Sequence, residues 1–184
     1  MSPIYPDVHC TADGEICQFT TGASEINAAG TVAAVAMNDQ FNFTKTYFII
    51  LGIAGVNPKF ATGGSVGVAR YAIQNALQYE FDIRDLNSSF SSGYIPLGAN
   101  EPAPAQYPVN IYGTEVFEVN KALQEKAFYL ASLATLNDSS DSMAYRALYP
   151  NAPANQPPKV VMADVLCSDV YFSGTVSFIL VNPI

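Results

Sequence analysis

The residues of this chain that could carry chemistry stand in two glycine-containing segments, each of which follows a predicted strand. One is the string Gly52-Ile53-Ala54-Gly55, and the other covers residues 168–174 with Asp169, Tyr171 and Phe172. Ligands of α/β sheets bind at strand ends, where glycine lets the backbone come close. Asp169 is therefore a candidate acid, and the two aromatic rings are candidate stacking surfaces for a flat ligand. Each also has a plain structural interpretation, in which Asp169 caps a turn and the rings belong to the core.

Other common catalytic and metal-binding patterns do not occur in the sequence. His9 is the one histidine, and no Gly-x-Ser-x-Gly string accompanies it, which argues against a Ser-His-Asp hydrolase. Cys10, Cys17, Cys167 and His9 lack the clustered spacing of a zinc site. Neither a Gly-x-Gly-x-x-Gly fingerprint nor a P-loop is present. We therefore predict no metal and no cofactor, and whether the chain is an enzyme stays open.

Composition and charge narrow the range of partners. The chain has 184 residues, a formal net charge of −8 and eight Lys and Arg residues that form no cluster, so we predict no binding of nucleic acid. The best apolar stretch, residues 47–56, is shorter than the roughly 20 residues that cross a bilayer, and we predict no membrane span.

The opening residues lack the pattern of a signal peptide, and the compartment stays open. Sequons at Asn42, Asn87 and Asn137 permit glycosylation in a secreted chain.

The hydrophobic pattern predicts alternating strands and helices. A continuous apolar run at residues 46–51 is typical of a central strand covered on both faces, and residues 159–167 resemble it. Residues 114–133 keep a helical period behind Thr114 as the cap. The other predicted elements are a hairpin over residues 8–20, a helix after Ser24, strands at 65–74 and 77–85 (with a helix over 71–79 as the alternative) and a helix at 140–149. This alternation predicts one three-layer α/β domain over residues 1–184.

The cysteines Cys10 and Cys17 have a geometric interpretation. Asp13-Gly14 lies between them and is a strong signal for a two-residue hairpin turn. Such a turn sets the cysteines opposite each other at a hydrogen-bonded pair of the ladder, with Cα atoms about 5.5 Å apart. That distance lies within the range of a disulfide. Two free thiols are the alternative, so the bridge stays open.

Several strings, in order from residue 2 to about residue 175, resemble the purine nucleoside permease family. They include Val8-His9-Cys10-x-Ala12-Asp13-Gly14-Glu15, Thr20-Thr21-Gly22, Gly52-Ile53-Ala54-Gly55-Val56-Asn57-Pro58-Lys59, Tyr112-Gly113-Thr114-Glu115-Val116-Phe117, Ala152-Pro153-Ala154-Asn155-Gln156-Pro157-Pro158 and Ser168-Asp169-Val170-Tyr171-Phe172-Ser173-Gly174. That family is similar, more remotely, to nucleoside phosphorylases and nucleosidases. The resemblance therefore implies a nucleoside-phosphorylase-like domain, with a central mixed sheet flanked by helices.

The resemblance also implies where a purine nucleoside such as adenosine, guanosine or inosine would bind. The string Gly52-Ile53-Ala54-Gly55 would contact ribose and base. The segment that holds Tyr171 and Phe172 would supply an aromatic ring that stacks on the purine. Thr21 and Gly22 would correspond to the loop that binds phosphate in phosphorylases.

The chain departs from the relatives' pattern at several positions. Ile50 and Ile53 stand where phosphorylases place Arg and Ser for phosphate, and a phosphate buried beside them would keep an unpaired charge. Ser24 replaces a family glycine. The family begins upstream of residue 1 and continues well past Gly174, so we expect a truncated chain. Superfamily members assemble into dimers, trimers or hexamers, which leaves a homo-oligomer open.

Three functions remain as alternatives. The first is purine nucleoside recognition in transmembrane transport, the role described for the family. The second is an N-glycosidic enzyme, a purine nucleosidase or nucleoside phosphorylase, with Asp169 as the acid near the base. The third is a non-functional truncated fragment with a residual fold. We rank nucleoside recognition first for intact relatives, and a fragment with impaired binding first for this chain.

Overall fold

The computed structural model describes residues 2–102 and 106–168, and the chain divides into two compact units, Met1–Ile53 and Ala54–Ile184. In the described residues the elements are, in chain order, β1 (Val8–Cys10), β2 (Cys17–Phe19), α1 (Glu25–Ala36), β3 (Val66–Gln74), β4 (Gln78–Glu80), a 3-10 turn (Ile83–Asp85), β5 (Tyr94–Pro96), β6 (Val116–Glu118), α2 (Lys121–Ala131), α3 (Ser140–Arg146) and β7 (Val160–Cys167). The larger sheet is mixed, which confirms the predicted α/β class. The three-layer arrangement and the single domain over residues 1–184 stay predictions.

The first unit opens with an antiparallel hairpin of β1 and β2. Cys10 is directly opposite Cys17, the register that Asp13-Gly14 predicts. The two cysteines form a disulfide, and their Cα atoms are 4.0 Å apart. The structure thus decides between the two alternatives in favour of the bridge.

The hairpin loop is longer than the predicted two-residue turn. Thr11 N donates to Ile16 O at 2.9 Å, so four residues separate the last bonded pair, and the cysteines occupy a non-hydrogen-bonded pair. The reason lies in the Asp13 carboxylate, which accepts from the Thr11 hydroxyl at 2.5 Å and from Glu15 N at 3.1 Å. These two bonds hold the pKa of Asp13 below its usual value. The second also takes the Glu15 N–H, which the inner pair of a two-residue turn would use.

The prediction of a buried central strand at residues 46–51 is wrong. Residues 46–57 form neither helix nor strand, and Ile50 and Leu51 are 92% and 88% exposed. A strand is defined by backbone hydrogen bonds to its neighbours, and in the described part of the first unit the only named ladder joins β1 to β2. An apolar, β-branched composition indicates that a segment suits a sheet, but it does not supply the partner strands.

The second unit is organised by a three-stranded sheet in the order β6-β3-β7. β3 is parallel to β7, with Gln74 opposite Cys167, and antiparallel to β6. α2 packs against β3 and β7, and Gln124 Nε2 donates to Val68 O at 3.1 Å across that contact. The predicted strands at residues 65–74 and 159–167 are confirmed as β3 and β7. Of residues 77–85, only Gln78–Glu80 is a strand, paired with β5.

One acid lies inside the apolar strand β7. The ladder between β3 and β7 shifts register between Ala69 and Ala72. Asp164 Oδ1 accepts there from Arg70 N at 3.3 Å and from Tyr71 N at 2.9 Å. A bulge leaves backbone groups without ladder partners, and this carboxylate supplies them.

The helix predicted over residues 114–133 begins later than its apolar period indicates. Val116–Glu118 forms β6 instead, hydrogen-bonded to β3. α2 starts at Lys121, after the Asn120 side chain accepts from Leu123 N at 3.1 Å. Thr114 is therefore not the cap, since pairing with β3 overrides the local helical pattern.

Candidate functional site

Strands β3 and β7 bring two chain segments to one edge of the sheet. Both strands run in the same direction, so their carboxyl ends, Gln74 and Cys167, lie side by side. Asn75 N donates to Cys167 O at 2.8 Å and joins the two segments as they leave the sheet. The carboxyl edge of parallel strands is where α/β sheets bind ligands. We call this place, defined by Gln74, Asn75 and Cys167, the carboxyl edge.

The sequence-predicted residues Asp169, Tyr171 and Phe172 lie outside the described residues. They follow Ser168, which directly follows the end of β7. The chain therefore enters this segment from the carboxyl edge, as the sequence predicts. The roles of the acid and the two rings stay predictions.

Glu115 is a further acid at the carboxyl edge, and sequence reasoning did not single it out. It precedes β6, and its carbonyl oxygen accepts from Gln74 N at 2.8 Å. Glu115 is 7% exposed, and its carboxylate accepts from Tyr112 N at 2.5 Å and Gly113 N at 2.8 Å. Gly113 has a φ of 85°, which aims this N–H at the acid. A glycine two residues before an acid is the only local signal for this arrangement.

Burial and hydrogen bonding act in opposite directions on Glu115. Burial by itself raises the pKa of the carboxyl group, whereas the backbone N–H bonds from residues 112–115 lower it, and the net pKa lies below the usual value. Glu115 is therefore ionised at neutral pH. An ionised carboxylate accepts hydrogen bonds and has no proton to donate.

The glycine segment does not form a built site in the described residues. Gly52 and Ile53 belong to the first unit, whereas Ala54 and Gly55 belong to the second. Among the described residues, and apart from the chain neighbours of each glycine, no heavy atom lies within 4 Å of a Cβ placed on Gly52 or Gly55. The Ile53 side chain is fully exposed. Contact of these residues with ribose and base stays a prediction.

The loop with Thr21 and Gly22 is fixed to helix α1 in the first unit. Gly22 has a φ of 80°, and a Cβ there would lie 3.0 Å from Ser2 Oγ, so any other residue would be strained at this position. Thr31, 1% exposed, accepts at its Oγ1 from Ser2 N at 3.0 Å and donates from it to Thr21 O at 3.5 Å. Ser2 and Thr31 thus set the shape of this loop, and the sequence pattern gave no sign of either.

The surroundings of Thr21 and Gly22 do not favour an anion. Lys45 is the one Lys or Arg among residues 2–53, which contain five Asp and Glu residues. Glu25, in the first turn of α1, is exposed next to the loop in sequence. Its carboxylate stabilises the positive end of the helix dipole and repels a second negative group. The expectation that this loop corresponds to a phosphate-binding loop gains no support from these charges.

Two small cavities occur in the first unit. One, of about 130 Å³, lies between the N-terminal turn and the hairpin and is lined by His9 and Gln18 among others. The other, of about 110 Å³, adjoins Ser2, Asn27 and Thr31. Ligand pockets usually measure about 300–1,000 Å³, so neither of these two cavities holds an entire nucleoside.

Helix α1 begins with strained backbone. Ser24 is at its N-cap, as predicted, but with a φ of 72° and no side-chain cap hydrogen bond. This region favours glycine, the residue that the family resemblance gives at this position. We expect Ser24→Gly to raise the free energy of unfolding by about 1 kcal/mol, measured by urea titration.

A matched control is available at the other serine N-cap. Ser139 has a φ of −82°, and its side chain accepts from Ser142 N, so Ser139→Gly removes a real cap without relieving strain. This variant is expected to lose a few tenths of a kcal/mol. A loss of stability in Ser24→Gly would contradict the strain argument.

Within residues 2–102 and 106–168, no group of three or more His, Cys, Asp or Glu side chains is placed to hold a metal ion. None of the helices in the same residues has the length and apolar character to cross a bilayer.

Comparison with known proteins gives a consistent family result. The family model described as "Purine nucleoside permease (NUP)" matches residues 1–182. The chain is 47% identical over 180 residues to a Candida albicans protein named "Purine nucleoside permease", covering 96% of the chain and 44% of the relative. It is 37% identical over 181 residues to a Schizosaccharomyces pombe protein named probable purine nucleoside permease, covering 95% and 52%. The chain thus spans about half the length of these curated relatives. No solved structure matches it.

Proposed function

Because this chain belongs to the purine nucleoside permease family, we propose that it provides purine nucleoside recognition within a protein of nucleoside transport. The observation that carries the proposal is the family match, which extends over residues 1–182. The names of the Candida albicans and Schizosaccharomyces pombe relatives support the same substrate class. Adenosine, guanosine and inosine are the ligands we assign.

The fold proposed for this role is a nucleoside-phosphorylase-like domain with three layers. Its support is the mixed sheet of β6, β3 and β7 with α2 packed against it. In such a domain the ligand lies at the carboxyl edge, where Asp169, Tyr171 and Phe172 continue the chain beyond Ser168. We assign Tyr171 or Phe172 to stacking on the purine, and Asp169 to hydrogen bonding with the base.

Glu115 adds a property that a ribose needs. It is an ionised acceptor whose backbone carbonyl is bonded to the end of β3, and sugar hydroxyls are hydrogen-bond donors. The carboxyl edge would then offer an aromatic surface for the base and an acceptor for the sugar. Phosphate has no such support, since Ile50, Ile53 and Glu25 supply no positive charge. If the protein cleaves the glycosidic bond, the lack of positive charge at Ile50, Ile53 and Glu25 favours water over phosphate as the group that accepts the ribosyl.

A ligand-dependent thermal melt tests this proposal. With adenosine, guanosine or inosine at about 100 times the Kd, the native state gains about 2.7 kcal/mol, and the melting temperature rises. The double variant Tyr171→Ala/Phe172→Ala is expected to remove the shift, whereas Tyr129→Ala, which replaces an exposed tyrosine on α2, is expected to keep it. Uridine serves as the pyrimidine control.

The outcomes separate the three functions. A cooperative melt that no purine nucleoside shifts rules out recognition by this chain. A shift accompanied by release of free base from inosine assigns an N-glycosidic enzyme, in which Asp169→Asn should abolish the release. A melt without a cooperative transition marks the chain as a fragment with a residual fold.

A further inference from the structure

Two of the three sequons of this chain share an exposed turn geometry. Asn42 and Thr44 are exposed, and Asn42 Oδ1 accepts from Thr44 Oγ1 at 2.7 Å and from Thr44 N at 3.1 Å. Asn87 and Ser89 are also exposed, and Asn87 Oδ1 accepts from Ser89 Oγ and, at 2.9 Å, from Ser89 N. In both turns the hydroxyl two residues later contacts the carboxamide of the asparagine.

This contact matters for the reactivity of the asparagine. A carboxamide nitrogen is a weak nucleophile, because its lone pair is delocalised toward Oδ1. A hydroxyl that donates to Oδ1 stabilises the form in which negative charge lies on that oxygen, and so lowers the cost of removing a proton from Nδ2. Both turns therefore present an acceptor amide in an activated arrangement on an accessible surface.

The disulfide indicates the compartment in which such a reaction occurs. Cys10 and Cys17 are bridged although both are exposed. Structural disulfides form and persist in oxidising compartments, and cytosolic thiols are kept reduced. The two compared relatives are yeast proteins, and in a eukaryotic cell the secretory compartment supplies both an oxidising medium and the sugar donor for Asn-x-Ser/Thr sites.

We propose that the chain folds in an oxidising secretory compartment and carries N-linked glycans on Asn42 and Asn87. The co-reactant is an oligosaccharide linked to a lipid diphosphate. Nδ2 forms a bond to C1 of the first sugar while the C1–O bond to the diphosphate breaks. The lipid diphosphate leaves with the electron pair, and the Nδ2 proton passes to a base of the transferase.

The third sequon is an internal contrast. In Asn137-Asp138-Ser139, the Ser139 hydroxyl contacts Ser142 instead of Asn137, accepting from its backbone N–H at the start of α3. Asp138 is held in an ion pair with Arg146. This segment is fixed to the helix and lacks the contact between hydroxyl and carboxamide. Asn137 is therefore assigned as unmodified.

The test is mass spectrometry of the intact gene product isolated from fungal cells that express it. Peptides are treated with an amidase that converts glycosylated Asn to Asp in isotopically heavy water. Labelled Asp is expected at positions 42 and 87, with Asn at position 137. Unmodified Asn42 and Asn87 would overturn the proposal, and labelling at position 137 equal to the others would overturn the selectivity.

Two pairs of variants locate each glycan on a gel. Asn42→Gln and Thr44→Ala should each remove the same mobility step, since one deletes the acceptor and the other deletes only the hydroxyl. Asn87→Gln and Ser89→Ala should do the same for the second step, whereas Asn137→Gln should leave mobility unchanged. Alkylation of the unreduced protein should label Cys167 alone, and labelling of Cys10 and Cys17 would overturn the assigned compartment.

Discussion

Replacing both Cys10 and Cys17 with serine is expected to lower the free energy of unfolding by about 2–3 kcal/mol. The bridge joins residues seven apart in sequence, and both side chains are exposed. Few packing contacts are lost with the sulfur atoms. Most of the effect comes from the unfolded chain, which gains conformational freedom once the short loop is no longer closed.

A urea titration of the oxidised protein and of the double variant measures this change. Cys167 is the free cysteine among the described residues, so Cys167→Ser is the matched control and should keep the wild-type free energy of unfolding to within a few tenths of a kcal/mol. Adding a reductant to Cys167→Ser should reproduce the loss seen in the double variant. Equal midpoints for the oxidised protein and the double variant would contradict the predicted contribution of the bridge.

The pairing of these cysteines shows what sequence can predict when the decisive contacts are local. Asp13-Gly14 fixes the register, because it lies at the centre of the six residues between the cysteines and leaves one symmetric way to fold the hairpin. The same signal does not predict which residue pairs of the ladder are hydrogen-bonded, since the Asp13 carboxylate takes the Glu15 N–H that a two-residue turn would use in its inner pair. The start of α1 after Ser24 is also local and was predicted, although its positive φ was not.

Elements that depend on distant partners are harder to predict. The apolar run at residues 46–51 resembles a central strand, yet it is exposed and unpaired by any described strand. Val116–Glu118 fits a helical period, yet it pairs with β3, some 45 residues earlier in the chain. Whether a short apolar segment joins a sheet depends on what lies beside it, and that information is not in the segment.

In the candidate site too, some features follow from the local sequence, and others depend on pairing between distant strands. The end of β7 at Cys167 follows from the apolar pattern of the strand. The local sequence pattern does not predict the position of Glu115, because Glu115 is brought to the carboxyl edge by the register of β6 with β3. Tyr171 and Phe172 were singled out by their place after a predicted strand and by the family resemblance, and binding experiments will decide their role.

Breaking the ion pair between Arg146 and Asp138 is expected to destabilise the second unit. Arg146 is 8% exposed, and its Nη1 and Nη2 each donate to one carboxylate oxygen of Asp138. Such bidentate hydrogen bonds between charged groups are stronger than hydrogen bonds between neutral groups. Arg146→Met leaves Asp138 as an unpaired, half-buried carboxylate, so a clear fall in melting temperature is expected. In the double variant with Asp138→Asn no charge is stranded, and part of the loss should be recovered.

The same pair makes stability depend on pH in a defined direction. The Arg146 guanidinium, mainly through its hydrogen bonds, holds the pKa of Asp138 below the usual 3.8. A carboxyl group with a lowered folded-state pKa contributes its stability above the unfolded-state value, and loses it as the pH falls through the folded-state value. The difference in melting temperature between wild type and Arg146→Met should therefore be constant from neutral pH down to about pH 5 and shrink below about pH 4.

An exposed ion pair provides the control for this experiment. Arg84 contacts Asp82, but its side chain is 84% exposed, and pairs in water contribute little because solvent screens them. Arg84→Met should change the melting temperature only slightly at every pH, although the hydrogen bonds from Arg84 lower the pKa of Asp82 as well. If Arg84→Met and Arg146→Met lowered the melting temperature equally little at neutral pH, burial would not strengthen the contribution of the Arg146 pair to stability. The link between α3 and the loop before it would then depend on the Ser139 cap instead.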